Sequence, residues 1–154
     1  MSGIAIAIFG ATLCALLGGT GSAIGVMAAG RAAAGVTSEK PELFGKMLVL
    51  QALPGTQGIY GFLIAVLVMV NVGLLGGTPA DLTVAEGWAY FFATLPMAIV
   101  GLTSGVAQGL TAASAIHMTG KQPDASGKGI TMTALVETYA ILALLTSILL
   151  IFSL

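Results

Sequence analysis

Apolar residues fill the chain in four long blocks, roughly 3–35, 44–76, 86–118 and 128–153, and polar residues collect in the short gaps between them. A helix needs about 20 predominantly apolar residues to cross the hydrocarbon of a bilayer, so every block is long enough to span. Three exceed that minimum by a wide margin, which predicts helices that project beyond the hydrocarbon or tilt within it. Inside lipid the backbone must satisfy its own hydrogen bonds, so blocks of this length predict helices. The gaps at 36–43, 77–85 and 119–127 place Pro41, Pro79 and Pro123 among Ser, Thr, Gly and Asp, the chemistry of tight turns. The expected fold class is an all-α membrane protein with four transmembrane helices arranged as two tandem hairpins.

Composition agrees with lipid as the solvent. Of 154 residues, 57% are hydrophobic and 7% charged, against about 25% charged in a soluble domain. Position matters more than the net charge of -1. Arg31, Lys40 and Lys46 surround the first gap and Lys121 and Lys128 the third, whereas the middle gap has Asp81 and Glu86 and no basic residue. The positive-inside rule therefore predicts cytoplasmic loops near 36–43 and 119–127, with both termini extracellular. Trp88, Tyr90, Phe91 and Phe92 then stand where the third helix enters from outside, as an aromatic belt would. The single cysteine, Cys14, permits no intrachain disulfide and reads as a small buried hydrophobe. Residues 1–17 lack a basic n-region, so a cleaved signal peptide is not expected. No basic patch suggests nucleic acid.

Sliding the chain against itself by 82 residues aligns its halves without a gap, and 11 of 44 positions are identical between 19–62 and 101–144. The matches include Pro41/Pro123, Gly45/Gly127, Lys46/Lys128, Leu53/Leu135 and Thr56/Thr138. Two parallel repeats are expected, a first hairpin at 1–76 and a second at 77–154. Gly21 and Gly25 in the first helix, and Gly101, Gly105 and Gly109 in the third, have the four-residue spacing that lets helices approach closely in lipid. That spacing serves either packing within one bundle or a ring in which many copies press these helices into a crowded inner wall.

One side chain that is charged at neutral pH, Glu137, lies between Lys128 and the C-terminus. A charge near the bilayer centre costs at least about 2.5–3.5 kcal/mol, so a carboxylate there is read as functional. Its repeat equivalent is Gly55, so one carboxylate serves two hairpins. Counting from Pro41 and Pro123 at about 1.5 Å per residue puts Thr56, Gln57, Gln108 and Glu137 at one depth. Leu53, Thr56, Gln57 and Tyr60 share a helix face by their i, i+3, i+4, i+7 spacing. Pro54 cannot donate to the carbonyl of Leu50 and crowds that turn, so a kink is expected there, with main-chain oxygens exposed nearby. Two amides, a hydroxyl and a carboxylate at one level resemble an oxygen cage. Hard cations want several oxygen donors, whereas a proton needs only the carboxylate, so the spare oxygens favour sodium. His117 has no acidic or thiol neighbour at ligand spacing, and Arg31 reads as a snorkelling anchor. No residue set suggests covalent catalysis.

The segments Leu53–Gly61 (LPGTQGIYG), Ala107–Gly109 (AQG) and Val136–Ala140 (VETYA) resemble the K subunit of bacterial V-type ATPases. That family is the double-hairpin proteolipid of sodium-pumping V-type enzymes, and the resemblance covers essentially the whole chain. It implies sodium ligands at the Leu53 carbonyl, the Thr56 hydroxyl and the side chains of Gln57, Gln108 and Glu137, with the Tyr60 hydroxyl bonding to Glu137 to lock the occupied site. It also implies a homo-oligomeric rotor ring in the plasma membrane, not an enzyme by itself. Such a ring is turned by an ATP-hydrolysing head through central-stalk subunits and faces a stator membrane subunit that supplies an arginine. A proton-carrying ring, a small secondary transporter with a midplane carboxylate and a non-transporting scaffold or pore remain as alternatives.

Overall fold

The computed structural model describes residues 2–154, and the regular structure among them is helical. Five α-helices follow in order: α1 (Gly3–Glu39), α2 (Phe44–Ala52), α3 (Thr56–Asn71), α4 (Val84–Lys121) and α5 (Ser126–Phe152). Short 3-10 turns at Pro41–Leu43, Leu53–Gly55 and Pro123–Ala125 join α1 to α2, α2 to α3 and α4 to α5. α2 and α3 together make one span, so four apolar segments are long enough to cross a membrane.

Each boundary has a local cause. α4 opens on a capping box, in which the Thr83 hydroxyl accepts from the Glu86 N–H while the Glu86 carboxylate accepts from the Thr83 N–H. The turns at Pro41 and Pro123 share one conformation. Lys40 and Gln122 both break the helix at φ −134°, and the following proline starts a 3-10 turn whose first N–H would be unpaired anyway.

The helices differ in extent from the hydropathy blocks. α1 continues to Glu39 and α4 to Lys121, so the connections expected at 36–43 and 119–127 shrink to one non-helical residue and a 3-10 turn. The second span ends at Asn71 rather than 76. Gly73 adopts φ +73°, and the Leu74 N–H reaches back to the Met69 carbonyl while the Gly73 N–H bonds Val70. This is a Schellman ending. Leu74 and Leu75 extend the apolar run, but the left-handed glycine has already closed the helix.

The two hairpins pack side by side through α1 and α4, which run parallel. A methyl group built on Gly21 would come within 2.6 Å of the Gly101 and Leu102 carbonyl oxygens, and one on Gly105 within 2.7 Å of the Gly21 carbonyl carbon. Gly10 faces Phe91, and Gly101 faces Gly18. Gly10, Gly21 and Gly25 of α1 thus meet α4 within two positions of their own repeat equivalents. α3 runs back along α1, with Gly61 against the Cys14 carbonyl, and α5 runs back along α4. Buried apolar side chains fill both ends: Cys14, Ile64, Val68 and Met97 at one, Met47, Leu50 and Ile116 at the other. The outward faces remain apolar, as lipid contact requires, with Phe62, Leu135, Leu142 and Leu149 exposed.

Candidate functional site

Two prolines within the spans, Pro54 and Pro96, frame the middle of the bundle. At Pro54 the second span tightens into the 3-10 turn Leu53–Gly55, and the Thr56 N–H bonds the Leu53 carbonyl. Just beyond, the Gly58 N–H donates to the Ser22 hydroxyl of α1 at 2.7 Å. At Pro96, inside α4, the Met97 N–H likewise finds the Ser147 hydroxyl of α5 at 3.1 Å. Hydroxyls from neighbouring helices take up backbone donors beside prolines, which is how proline is tolerated in lipid. Neither serine was legible as a partner in the sequence.

Below the first interruption, Gln57 and Gln108 are fully buried and face each other across α3 and α4. Gln57 Nε2 donates to Gln108 Oε1 at 2.6 Å, and Gln108 Nε2 donates to the Thr133 carbonyl of α5 at 3.2 Å. A main-chain carbonyl can only accept. Thr133 therefore directs the Gln108 nitrogen toward α5 and its oxygen toward α3, which in turn directs the Gln57 nitrogen toward Gln108. The Gln57 oxygen is left turned to the Thr56 hydroxyl, 3.4 Å away, and that hydroxyl also lies 3.2 Å from the Leu53 carbonyl. One carbonyl on α5 thus sets the orientation of two amides, and nothing in the sequence pattern singles out Thr133.

Glu137 and Tyr60 form the second half. Tyr60, one turn after Gln57, donates its phenolic hydrogen to Glu137 Oε1 at 2.5 Å. That length lies at the short end of the range for O–H···O hydrogen bonds. Among the described residues Glu137 makes this one side-chain hydrogen bond, and the carboxyl group is half-buried. Leu53, Thr56, Gln57 and Gln108 are joined in a hydrogen-bonded chain, Glu137 joins Tyr60, and Tyr60 and Gln57 are tied by one turn of α3. Arg31 and His117 make no side-chain hydrogen bond to any of them, and no trio of His, Cys, Asp and Glu gathers among the described residues. The donors available are amide, hydroxyl, main-chain and carboxyl oxygens, the set suited to a hard monovalent cation or, at the carboxyl alone, a proton.

Comparison with known proteins returns one architecture. The family of the ATP synthase C subunit matches twice, at residues 9–68 and 91–150, which reproduces the 82-residue offset of the repeats. The V-type sodium ATPase subunit K of Enterococcus hirae is 45% identical over 149 residues, spanning 97% of this chain and 92% of that one. The A-type ATP synthase subunit K of Methanocaldococcus jannaschii is 44% identical over 93% of this chain and 61% of its own length. A 16 kDa proteolipid of the V-type proton ATPase from Nephrops norvegicus is 28% identical over 75% of this chain and 70% of its own.

Proposed function

This chain belongs to the family of the ATP synthase C subunit, and we propose that it is a rotor-ring subunit of a V-type ATPase that carries sodium across the membrane on Glu137. The observation that carries this reading is a lone mid-helix carboxylate held by Tyr60 beside a buried, fully oriented Gln57–Gln108 pair. The sodium ligands are the Leu53 carbonyl, the Thr56 hydroxyl, the Gln57 and Gln108 amide oxygens and the Glu137 carboxylate. Gln108 Oε1 already accepts one hydrogen bond, and a carbonyl oxygen keeps a second lone pair for the ion. The similar Enterococcus subunit is named for a sodium ATPase, which supports the choice of ion.

The physical cycle follows from solvation. Glu137 with bound sodium is formally neutral, so an occupied site turns past lipid without exposing a bare charge. Emptied and ionised, it meets the penalty of an isolated charge in a low-dielectric medium. The empty state is therefore confined to the stator, whose arginine and water compensate it. The chain performs no covalent step. The soluble head hydrolyses ATP and drives the ring through the central stalk. Each subunit contributes two hairpins, 1–76 and 77–154, with the termini extracellular and the Pro41 and Pro123 turns at the cytoplasmic face of the plasma membrane.

Glu137→Gln tests the reading. The variant should assemble into a ring of native mass and carry no ion in ATP-driven transport by reconstituted complex. Transport at the parent rate would remove Glu137 from the mechanism.

A further inference from the structure

The two hairpins of one chain are related by a rotation with little translation, because Gly10, Gly21 and Gly25 of α1 meet α4 within two residues of their repeat equivalents. Two residues of helix are about 3 Å of rise. A head-to-tail interface repeated from copy to copy closes into a ring when its rotation divides the circle and no net rise accumulates. Whatever the first hairpin does to the second, the second then does to the first hairpin of the next copy.

At the turns that rule has a specific consequence. Lys46, at the start of α2, donates its ammonium to the Pro123 carbonyl of the second hairpin at 2.8 Å. The Pro123 oxygen also accepts the Ser126 N–H, so both its lone pairs are used. The repeat equivalent of Lys46 is Lys128, and that of Pro123 is Pro41. Both are exposed. Among the described residues the Lys128 ammonium has no hydrogen-bond partner, and the Pro41 oxygen accepts the Phe44 N–H alone. We propose that Lys128 of each copy donates to the Pro41 main-chain carbonyl of the next copy, repeating at every subunit boundary the staple that Lys46 makes within the chain.

The small-residue faces agree with the same operator. The α1 face formed by Gly18, Gly21 and Gly25 is buried, whereas on its α4 counterpart Thr103 and Ala107 are exposed and Val100 is half-buried. An added methyl at Gly19, the counterpart of Gly101, meets nothing within 4 Å. These are the two halves that a neighbouring copy covers. A second intrachain staple, from Lys40 to the Gly120 carbonyl at 2.6 Å, has the uncharged Gln122 in the equivalent place. The charged link at the boundary is therefore single. The inference rests on the ring proposed above.

The test uses whole chains in a Cys14→Ala background, assembled in detergent and treated with a short bismaleimide. The pair Lys128→Cys/Glu42→Cys should give a covalent ladder of chains on a denaturing gel, up to the ring. The pair Lys46→Cys/Asp124→Cys should link only within one chain. Separately, Lys128→Met should lower the temperature at which the ring dissociates, relative to Lys121→Met. A ring of parent mass that yields no ladder from the first pair while the second pair reacts would overturn the staple and leave the ring standing. Equal dissociation temperatures for the two methionine variants would overturn it too. If the parent chain, with Cys14 in place, forms no ring, the rotor reading fails and the staple with it.

Discussion

Tyr60 on α3 donates its hydroxyl to the Glu137 carboxyl on α5 over 2.5 Å, joining the two helices at the one acidic group in the interior of the spans. The phenol stands on the same helix face as Gln57, so the residue that holds the carboxylate is positioned by the helix that supplies the amide. A hydrogen bond to a charged group contributes about 1.5–3 kcal/mol, and about 1.4 kcal/mol is a factor of ten in affinity. Tyr60→Phe should therefore raise the sodium concentration that half-occupies the site by roughly tenfold or more, with the ring intact. A sodium titration that superimposes on the parent would show that the phenol does not hold the occupied site.

The proline-linked serines give a stability contrast. Ser22 and Ser104 are repeat equivalents, but their hydroxyls have different fates. Ser22 accepts the Gly58 N–H beyond the Pro54 interruption. Ser104, facing an α5 without that proline, is the buried side-chain oxygen left without a partner among the described residues. Ser22→Ala should cost about 0.5–1.5 kcal/mol by removing the acceptor of a half-buried donor, whereas Ser104→Ala should be neutral or mildly stabilising. Thermal unfolding in one detergent compares them directly, and equal losses would contradict the assignment.

Gly105 tests the contact between hairpins. A side chain there meets the Gly21 main chain, which cannot rotate away as a flexible side chain can. Overpacking a tight site typically costs about 1–3 kcal/mol, so Gly105→Leu should destabilise the folded chain and lower the yield of assembled ring. Gly127→Ala, at a position open in all directions, should leave both unchanged. Parent-like unfolding of Gly105→Leu would mean that α1 and α4 are not held at glycine distance.

Four spans and the internal offset were legible because lipid imposes simple rules on length, charge and polarity. The end of the second span at Asn71 was not, because hydropathy counts Leu74 and Leu75 as helix while Gly73 ends it by backbone angle. The turns were shorter than the polar gaps suggested, since polar residues at helix ends remain helical where a single residue and a proline can reverse the chain. The meeting of Gln57 and Gln108 was foreshadowed by depth. The Thr133 carbonyl that orients them is backbone and leaves no mark in residue type. The serine partners beside Pro54 and Pro96 depend on which faces meet, which is a property of packing.

The ligand set separates sodium from proton by single oxygens. Thr56→Val and Gln57→Leu each remove one oxygen and keep the acid, so both should weaken sodium binding while Glu137 stays reactive. Gln57→Leu also strips Gln108 of its amide donor, at a stability cost of about 1–3 kcal/mol. Thr56→Val should be milder, because that hydroxyl's bonds are long. Sodium titration of each variant beside its melting curve separates the two effects, and undiminished sodium binding in both would remove these oxygens from the site.

The central claim is that sodium and a proton compete for Glu137, and the rate of Glu137 labelling by a hydrophobic carbodiimide, which attacks the protonated carboxyl, reads that competition. Measured on the assembled ring, sodium should slow labelling at a pH where the empty site reacts, and potassium at equal ionic strength should not replace it. The sodium required should rise as pH falls, because both cations neutralise the same carboxylate. A labelling rate that follows pH and ignores sodium over a wide concentration range would contradict the account, leaving a proton ring in which Gln57 and Gln108 serve only as hydrogen-bonding partners.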